Sequence, residues 1–189
     1  MTNKIDAQNL TGKCLISMPD VTGNFAETVV YICSHNADGA MGFIINKRIK
    51  EFSFSDLAME LPFEIKNNSA PVNLYQGGPL EKNKGFVLHS DDYTKSDSLN
   101  TGGGIMISSS LEILRDIAIG NGPKQRIIAL GYAGWTPNQL ENEIANNLWL
   151  ITHATPELVL GSNDTAKWSQ AMSSLGITFD NLTPSFGHS

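Results

Sequence analysis

The sequence predicts a mixed α/β (α+β) domain: one sheet, mixed or antiparallel, curled toward a small barrel with helices packed outside. Three observations predict it. Apolar runs with strand character alternate with segments of helical periodicity. A turn, Asn36-Ala37-Asp38-Gly39, joins two strand-like runs and breaks a strict β-α-β rhythm with a hairpin. No linker or low-complexity stretch divides the 189 residues, so residues 1–189 read as a single domain. Within it, the polar stretch 1–10 reads as a flexible or loosely packed N-terminus.

The elements follow in chain order. Lys13–Ser17 is a short apolar strand, and Met18–Asn24, with Pro19 and Gly23, a loop. Glu27–Ser34 is rich in β-branched and aromatic residues, and Met41–Asn46 completes the hairpin. Ser53-Phe54-Ser55-Asp56 has the form of a helix start. Phe54, Leu57, Ala58 and Leu61 follow on one face, and Pro62 stops the helix. Val72–Gln76 is a strand, Gly77-Gly78-Pro79 a turn, Gly85–His89 a strand, Asp91–Asn100 a polar connection and Gly104–Ile107 a short strand. Ser109 and Glu112 form a capping box for a helix carrying Leu111, Leu114, Ile117 and Ala118 inward, ended at Gly120-Asn121-Gly122-Pro123. Arg126–Tyr132 and Leu148–Ile151 are strands. Thr155-Pro156-Glu157 starts a short helix. Asp164 caps the last one, whose stripe is Trp168, Ala171, Met172 and Leu175.

Gly131-Tyr132-Ala133-Gly134-Trp135-Thr136-Pro137 is the densest stretch of glycine, tryptophan and proline. With Thr136 as N-cap, Pro137 falls at the first helical position and Gln139 closes a Thr-x-x-Gln box. Trp135 and Leu140 then make a hydrophobic staple, and Leu140, Ile144 and Leu148 share a face. The stretch lacks the lysine of a phosphate loop and the spacing of a dinucleotide fingerprint, so it reads as architecture, with a lined pocket beside Trp135 as the alternative.

Composition narrows function. The net charge of −6 argues against a nucleic-acid surface. Only Lys47-Arg48-Ile49-Lys50 gathers basic residues closely, and it reads as a solvated strand end. Nothing is apolar for long enough to span a membrane, and the N-terminus lacks a signal-peptide core, so a cytoplasmic protein is expected. Cys14 and Cys33 lie in apolar runs and read as reduced and buried. No Gly-x-Ser-x-Gly elbow, His-Glu-x-x-His helix or Cys-x-x-Cys occurs. His89 with Asp91 or Asp92 is the single acid–base grouping. It defines the alternative reading, a hydrolase, but supplies too few convergent groups for a metal. No catalytic residue, cofactor or metal is assigned.

Gly42-Phe43-Ile44-Ile45-Asn46 and Gly85-Phe86-Val87-Leu88-His89 echo each other, a pattern that duplication and chance explain equally.

Several segments, in this order and spacing, carry a resemblance. They include Val30-Tyr31-Ile32-Cys33 with His35-Asn36, Gln76-Gly77-Gly78-Pro79, Gly85–Ser90, Gly131–Trp135 through Glu143, Trp149 and Lys167-Trp168. The chain resembles the YqgE/AlgH family of uncharacterised bacterial proteins, also described as transcriptional regulators. It departs from that pattern at Lys47-Arg48, where Arg-Pro is expected. The resemblance implies a cytosolic α/β domain and no assigned activity, cofactor or catalytic residue. The expected function is therefore non-enzymatic binding or regulation through a protein or small-ligand partner, without direct nucleic-acid or membrane contact. The glycine turns place the candidate binding surface at Asn46, Tyr75, Gly77, Gly78, His89 and Trp135.

Overall fold

A computed structural model describes residues 9–62, 64–66 and 71–177. Nine strands form one sheet: β1 Lys13–Ser17, β2 Val29–Asn36, β3 Gly39–Ile44, β4 Leu74–Gln76, β5 Leu80–Ser90, β6 Leu99–Gly102, β7 Ile105–Ser108, β8 Arg126–Trp135 and β9 Trp149–His153. The order is β6-β7-β5-β8-β3-β2-β1-β9, and every neighbouring pair is antiparallel. β4 alone runs parallel to its partner, β8, which makes the sheet mixed. The helices are α1 Phe54–Met59, α2 Leu111–Ala118, α3 Gln139–Ala145, α4 Pro156–Leu160 and α5 Asp164–Ser174.

The sheet curls into a half-barrel. β2 and β6 are far apart in strand order, yet the Tyr31 hydroxyl and the Thr101 hydroxyl are 2.6 Å apart. Alternation along the strands then sorts the core. Cys14, Tyr31, Phe43, Tyr75, Phe86, Leu88 and Ala129 face one continuous cluster on the concave side. α4 and α5 close that side with Val159, Trp168 and Met172. The opposite face divides in two. α3 covers Leu15, Val30 and Ile32, and α1 with α2 covers Val87 and Ile128. Three helices thus pack outside the curl as expected, while α4 and α5 plug it.

Several helix starts differ from expectation. Ser53 caps α1 through a complete box with Asp56, and Thr155 caps α4. α2 begins one residue later than expected. The backbone N–H groups of Ser109 and of the N-cap Ser110 donate to the Asp97 carboxylate from the preceding loop, and no side chain caps the first turn, so the Ser109 box is not formed. α2 buries Ile113, Ile117 and Ala118 and leaves Leu111 exposed. α3 begins at Gln139 because Asn138 adopts a left-handed conformation at φ 63°. Half of the expected box survives: the Gln139 side-chain oxygen accepts the Thr136 N–H at 3.0 Å. Leu148 lies beyond α3 and is exposed. At the N-terminus, residues 1–8 lie outside the described residues. Leu10, inside the stretch 1–10 expected to pack loosely, is buried, and its N–H donates to His35 Nδ1 at 3.1 Å. Gly42–Asn46 and Gly85–His89 flank β8 from opposite sides, and Phe43 meets Phe86 at 5.0 Å between ring centres.

The Gly77-Gly78 stretch is a strand crossing. β4 pairs with β8 on one side, at Ile128–Leu130, whereas Leu80 opposite Tyr132 lies on the other. The chain passes over β8 between them. A Cβ on Gly78 would lie 2.0 Å from the Tyr132 carbonyl carbon, and one on Gly77 2.3 Å from the Gly131 oxygen. Backbone touches backbone here, so a side chain has no space.

Candidate functional site

The six candidate surface residues do not form one site. Tyr75, Gly77, Gly78, His89 and Trp135 are buried, and only Asn46 is partly exposed. His89 pairs with Arg126 at one end of β8, and Trp135 ends the same strand. Nine residue steps of strand separate those ends, up to roughly 30 Å.

His89 has both ring nitrogens engaged. Nδ1 donates to the Ser90 carbonyl at 2.9 Å, which leaves Nε2 to accept from the Ser108 hydroxyl at 3.1 Å. Ser108 is in turn 2.8 Å from the Ser98 hydroxyl, which accepts the Lys95 N–H. Burial holds the imidazole below its ordinary range. The Asp92 carboxylate is taken by the Ser90 hydroxyl and the Lys124 N–H. The His89–aspartate pairing that a hydrolase would need is not formed. No three His, Cys, Asp or Glu side chains converge as a metal site among the described residues. Cys14 and Cys33 are buried free thiols, each pushed up to about 12 by burial, which disfavours the reactive thiolate.

Trp135 belongs to a closed aromatic group. Its indole N–H donates to Glu143 Oε2 at 2.8 Å, and Trp149 donates to the same oxygen at 2.7 Å. Phe25 completes the cluster, 5.6 Å from Trp149 between ring centres. The tryptophan-lined pocket weighed from sequence is filled by the protein's own side chains.

Tyr75 and the Ile45 carbonyl, one residue before Asn46, meet around a residue that sequence reasoning assigned no role. Lys167 on α5 is only 2% exposed. Its ammonium donates to the Ile45 carbonyl at 2.8 Å and the Val159 carbonyl at 3.3 Å, and lies 3.7 Å from Asp164 Oδ1. It also sits 5.3 Å from the centre of the Tyr75 ring. Burial pulls this amine down to about 8, opposed by the Asp164 carboxylate. Asp164 is the first helical residue rather than the cap; its carboxylate accepts the Tyr75 hydroxyl at 2.6 Å. Burial, then the hydrogen bond to this carboxylate, push the Tyr75 phenol well above its usual range. The available signal for Lys167 was its helical position. Four residues before Ala171, it falls on the apolar stripe of α5.

Above this buried group lies an open cleft of ≈ 680 Å³. One wall is residues 46–51, a strap leaving β3. The other is Ser162–Thr165 at the start of α5, with Gln76 between them. The strap is tied down at alternate points. Asn46 accepts the Val29 N–H at 2.9 Å and donates to the Glu27 carbonyl at 2.9 Å. Lys47 O accepts the Gln76 N–H at 2.8 Å, and the Ile49 N–H donates to Leu74 O at 2.8 Å. Lys47, Arg48 and Lys50 therefore sit on a backbone held by strand-type bonds rather than on a free strand end.

No helix among the described residues is long and apolar enough to cross a membrane. Comparison with known proteins places the chain firmly. The sequence profile of the AlgH-like family, DUF179, matches residues 14–180. A UPF0301 protein of Ruegeria pomeroyi is 46% identical over 187 residues, covering 95% of this chain and 99% of that one. A UPF0301 protein of Afipia carboxidovorans is 40% identical over 188 residues, covering 95% and 90%. The solution structure of AlgH from Pseudomonas aeruginosa superposes with a TM-score of 0.77 at 34% identity, over 97% of both chains. A crystal structure of a protein from Corynebacterium diphtheriae shares the fold, with a TM-score of 0.70 at 20% identity over 90% of this chain and 94% of that one. The chain belongs to the AlgH-like (UPF0301) family of bacterial proteins.

Proposed function

We propose that this protein is a non-enzymatic binding protein of the cytoplasm, regulatory in role, which takes a small ligand or a partner's segment in the cleft between the 46–51 strap and the start of α5. One observation carries the reading. The polar groups beneath the cleft satisfy one another, whereas the side chains on its strap wall have no ion pair among the described residues. A volume of ≈ 680 Å³ is in the range of small-molecule sites. Catalysis has no comparable support, because His89, Cys14 and Cys33 are buried and His89 has both nitrogens engaged. The net charge of −6 favours regulation through a protein or small ligand over direct contact with nucleic acid.

A thermal-shift screen against a metabolite collection tests this reading. A ligand at 100 times its Kd stabilises by about 2.7 kcal/mol, which raises Tm by roughly 5–10 °C in a chain of this size. Thr165→Trp, at an exposed cleft position, should abolish the shift while leaving the unliganded Tm unchanged, and the ligand should be recovered chemically intact. A shift that survives Thr165→Trp would move the site elsewhere, and turnover of the ligand would make the protein an enzyme.

A further inference from the structure

We infer that the ligand of this cleft is a small oxyanion carrying two or more negative charges, as a phosphate ester or a polycarboxylate does. The inference rests on the binding reading above and names its ligand class. Lys47, Arg48 and Lys50 are three of only 13 lysines and arginines in an acidic chain, yet they fall within four consecutive residues and line one cleft. None of the three has an ion-pair partner among the described residues, whereas Lys95 bridges Glu112 and Asp116 and the buried Lys167 pairs with Asp164.

The two acids on the same walls do not neutralise them. Asp164 turns inward to Tyr75 and Lys167, and Glu51 accepts the Lys50 backbone N–H at 3.1 Å. The strap that carries the three cations along the cleft is held without the help of a ligand. Its bonds to Val29, Leu74 and Gln76 fix the backbone in advance, which lowers the ordering cost of binding. Arginine presents a planar fork of donors that matches phosphate and carboxylate oxygens, and lysine adds point charge. Size and net charge then select among anions. The cleft holds a small molecule, while an overall charge of −6 repels an extended polyanion such as a nucleic acid.

The test is a two-dimensional amide NMR titration of the full chain. Inorganic pyrophosphate and citrate are the probes, with sodium chloride at matched ionic strength as control. The expected result is saturable movement of the 46–51 and 162–165 signals at submillimolar probe, absent with chloride. The tighter probe assigns phosphate or carboxylate. Lys47→Glu/Arg48→Glu, at solvent-accessible positions, should weaken that binding at least tenfold with an unchanged circular dichroism spectrum. The milder Lys47→Gln/Arg48→Gln should give an intermediate loss. Movement that is linear and equal to that caused by chloride overturns the inference. So does an uncharged ligand that fills the cleft and is indifferent to the charge reversal, although the binding reading then stands. If no charged or uncharged compound moves these signals, both fall together.

Discussion

The Tyr75 hydroxyl donates to the Asp164 carboxylate at 2.6 Å, joining β4 to the first turn of α5 across 89 residues of sequence. This bond holds the plug of the half-barrel against the strand that anchors the cationic strap. Tyr75→Phe removes the donor without changing the packed ring, so it should cost about 1–2 kcal/mol. Asp164→Asn should cost more, about 3 kcal/mol, because it also removes the counter-charge of the buried Lys167, and the two effects should fail to add by about 1 kcal/mol in a double-mutant cycle read by urea denaturation. Additive losses would mean that the bond contributes nothing to the fold.

Lys167 makes stability depend on pH in a direction that can be worked out. Burial pulls its amine down to about 8, below the roughly 10.4 of an unfolded lysine. Between those values the unfolded chain holds a proton that the folded chain lacks, so this contribution to stability rises with pH across the window. Below pH 8 the cost of burying the charge is present in full. Lys167→Met removes the dependence and leaves the Ile45 and Val159 carbonyls without this donor, a loss of roughly 2–4 kcal/mol at neutral pH. Tyr75 and Cys14, both pushed upward, are present in wild type and variant and largely cancel in the comparison. The advantage of wild type over Lys167→Met should therefore be larger at pH 9.5 than at pH 7. An advantage that stays level between the two pH values would show that the neighbouring carbonyls and Asp164 keep the amine charged.

The crossing of β8 makes two glycines of similar appearance behave differently. Gly78→Ala would place its methyl 2.0 Å from the backbone of Tyr132, where no side-chain movement relieves it. The expected loss is about 3 kcal/mol or more, with little folded protein recovered. Gly85 also opens a glycine-led run in β5, but its added methyl would meet only Leu130 Cδ2 at 3.7 Å, an ordinary contact. Gly85→Ala should stay within about 1 kcal/mol of wild type. Equal melting temperatures for the two variants would contradict the crossing.

That contrast shows what was legible in the sequence. Most strands were legible because an apolar run is a local property, and the caps at Ser53 and Thr155 because acceptor and N–H lie three residues apart. β6, Leu99–Gly102, was missed because it is polar and mostly exposed and begins inside what read as the connection Asp91–Asn100. The hold of Asp97 on the chain just before α2 was not legible, since a loop brings it in from 12 residues away. Gly77-Gly78 read as a turn because turns and crossings both demand glycine, and only the position of β8 separates them. Lys167 is the extreme case: its partner at Ile45 is 122 residues distant, and a lysine near an apolar stripe normally reaches solvent. The basic residues at 47–50 were visible as a cluster. Their fixed presentation was not, because it depends on β4 supplying Leu74 and Gln76.

Glu143 organises the other end of β8 through a single oxygen. Oε2 accepts both the Trp135 and Trp149 indoles, while Oε1 accepts the Gln139 amide at 3.0 Å. Glu143→Leu keeps the side-chain bulk but strands two indole donors among buried aromatics, which should cost about 2–4 kcal/mol. Glu143→Gln retains an oxygen for the indoles and turns a donor toward Gln139, so about 1 kcal/mol is expected. Indole N–H resonances provide the check. Trp168 donates instead to the Ser17 carbonyl at 2.9 Å, on the concave side, and its signal is an internal reference. In Glu143→Leu the Trp135 and Trp149 signals should move upfield and exchange faster with solvent, while that of Trp168 stays in place. Movement of all three would indicate a general loosening of the core, and movement of none would show that this carboxylate does not hold the tryptophans.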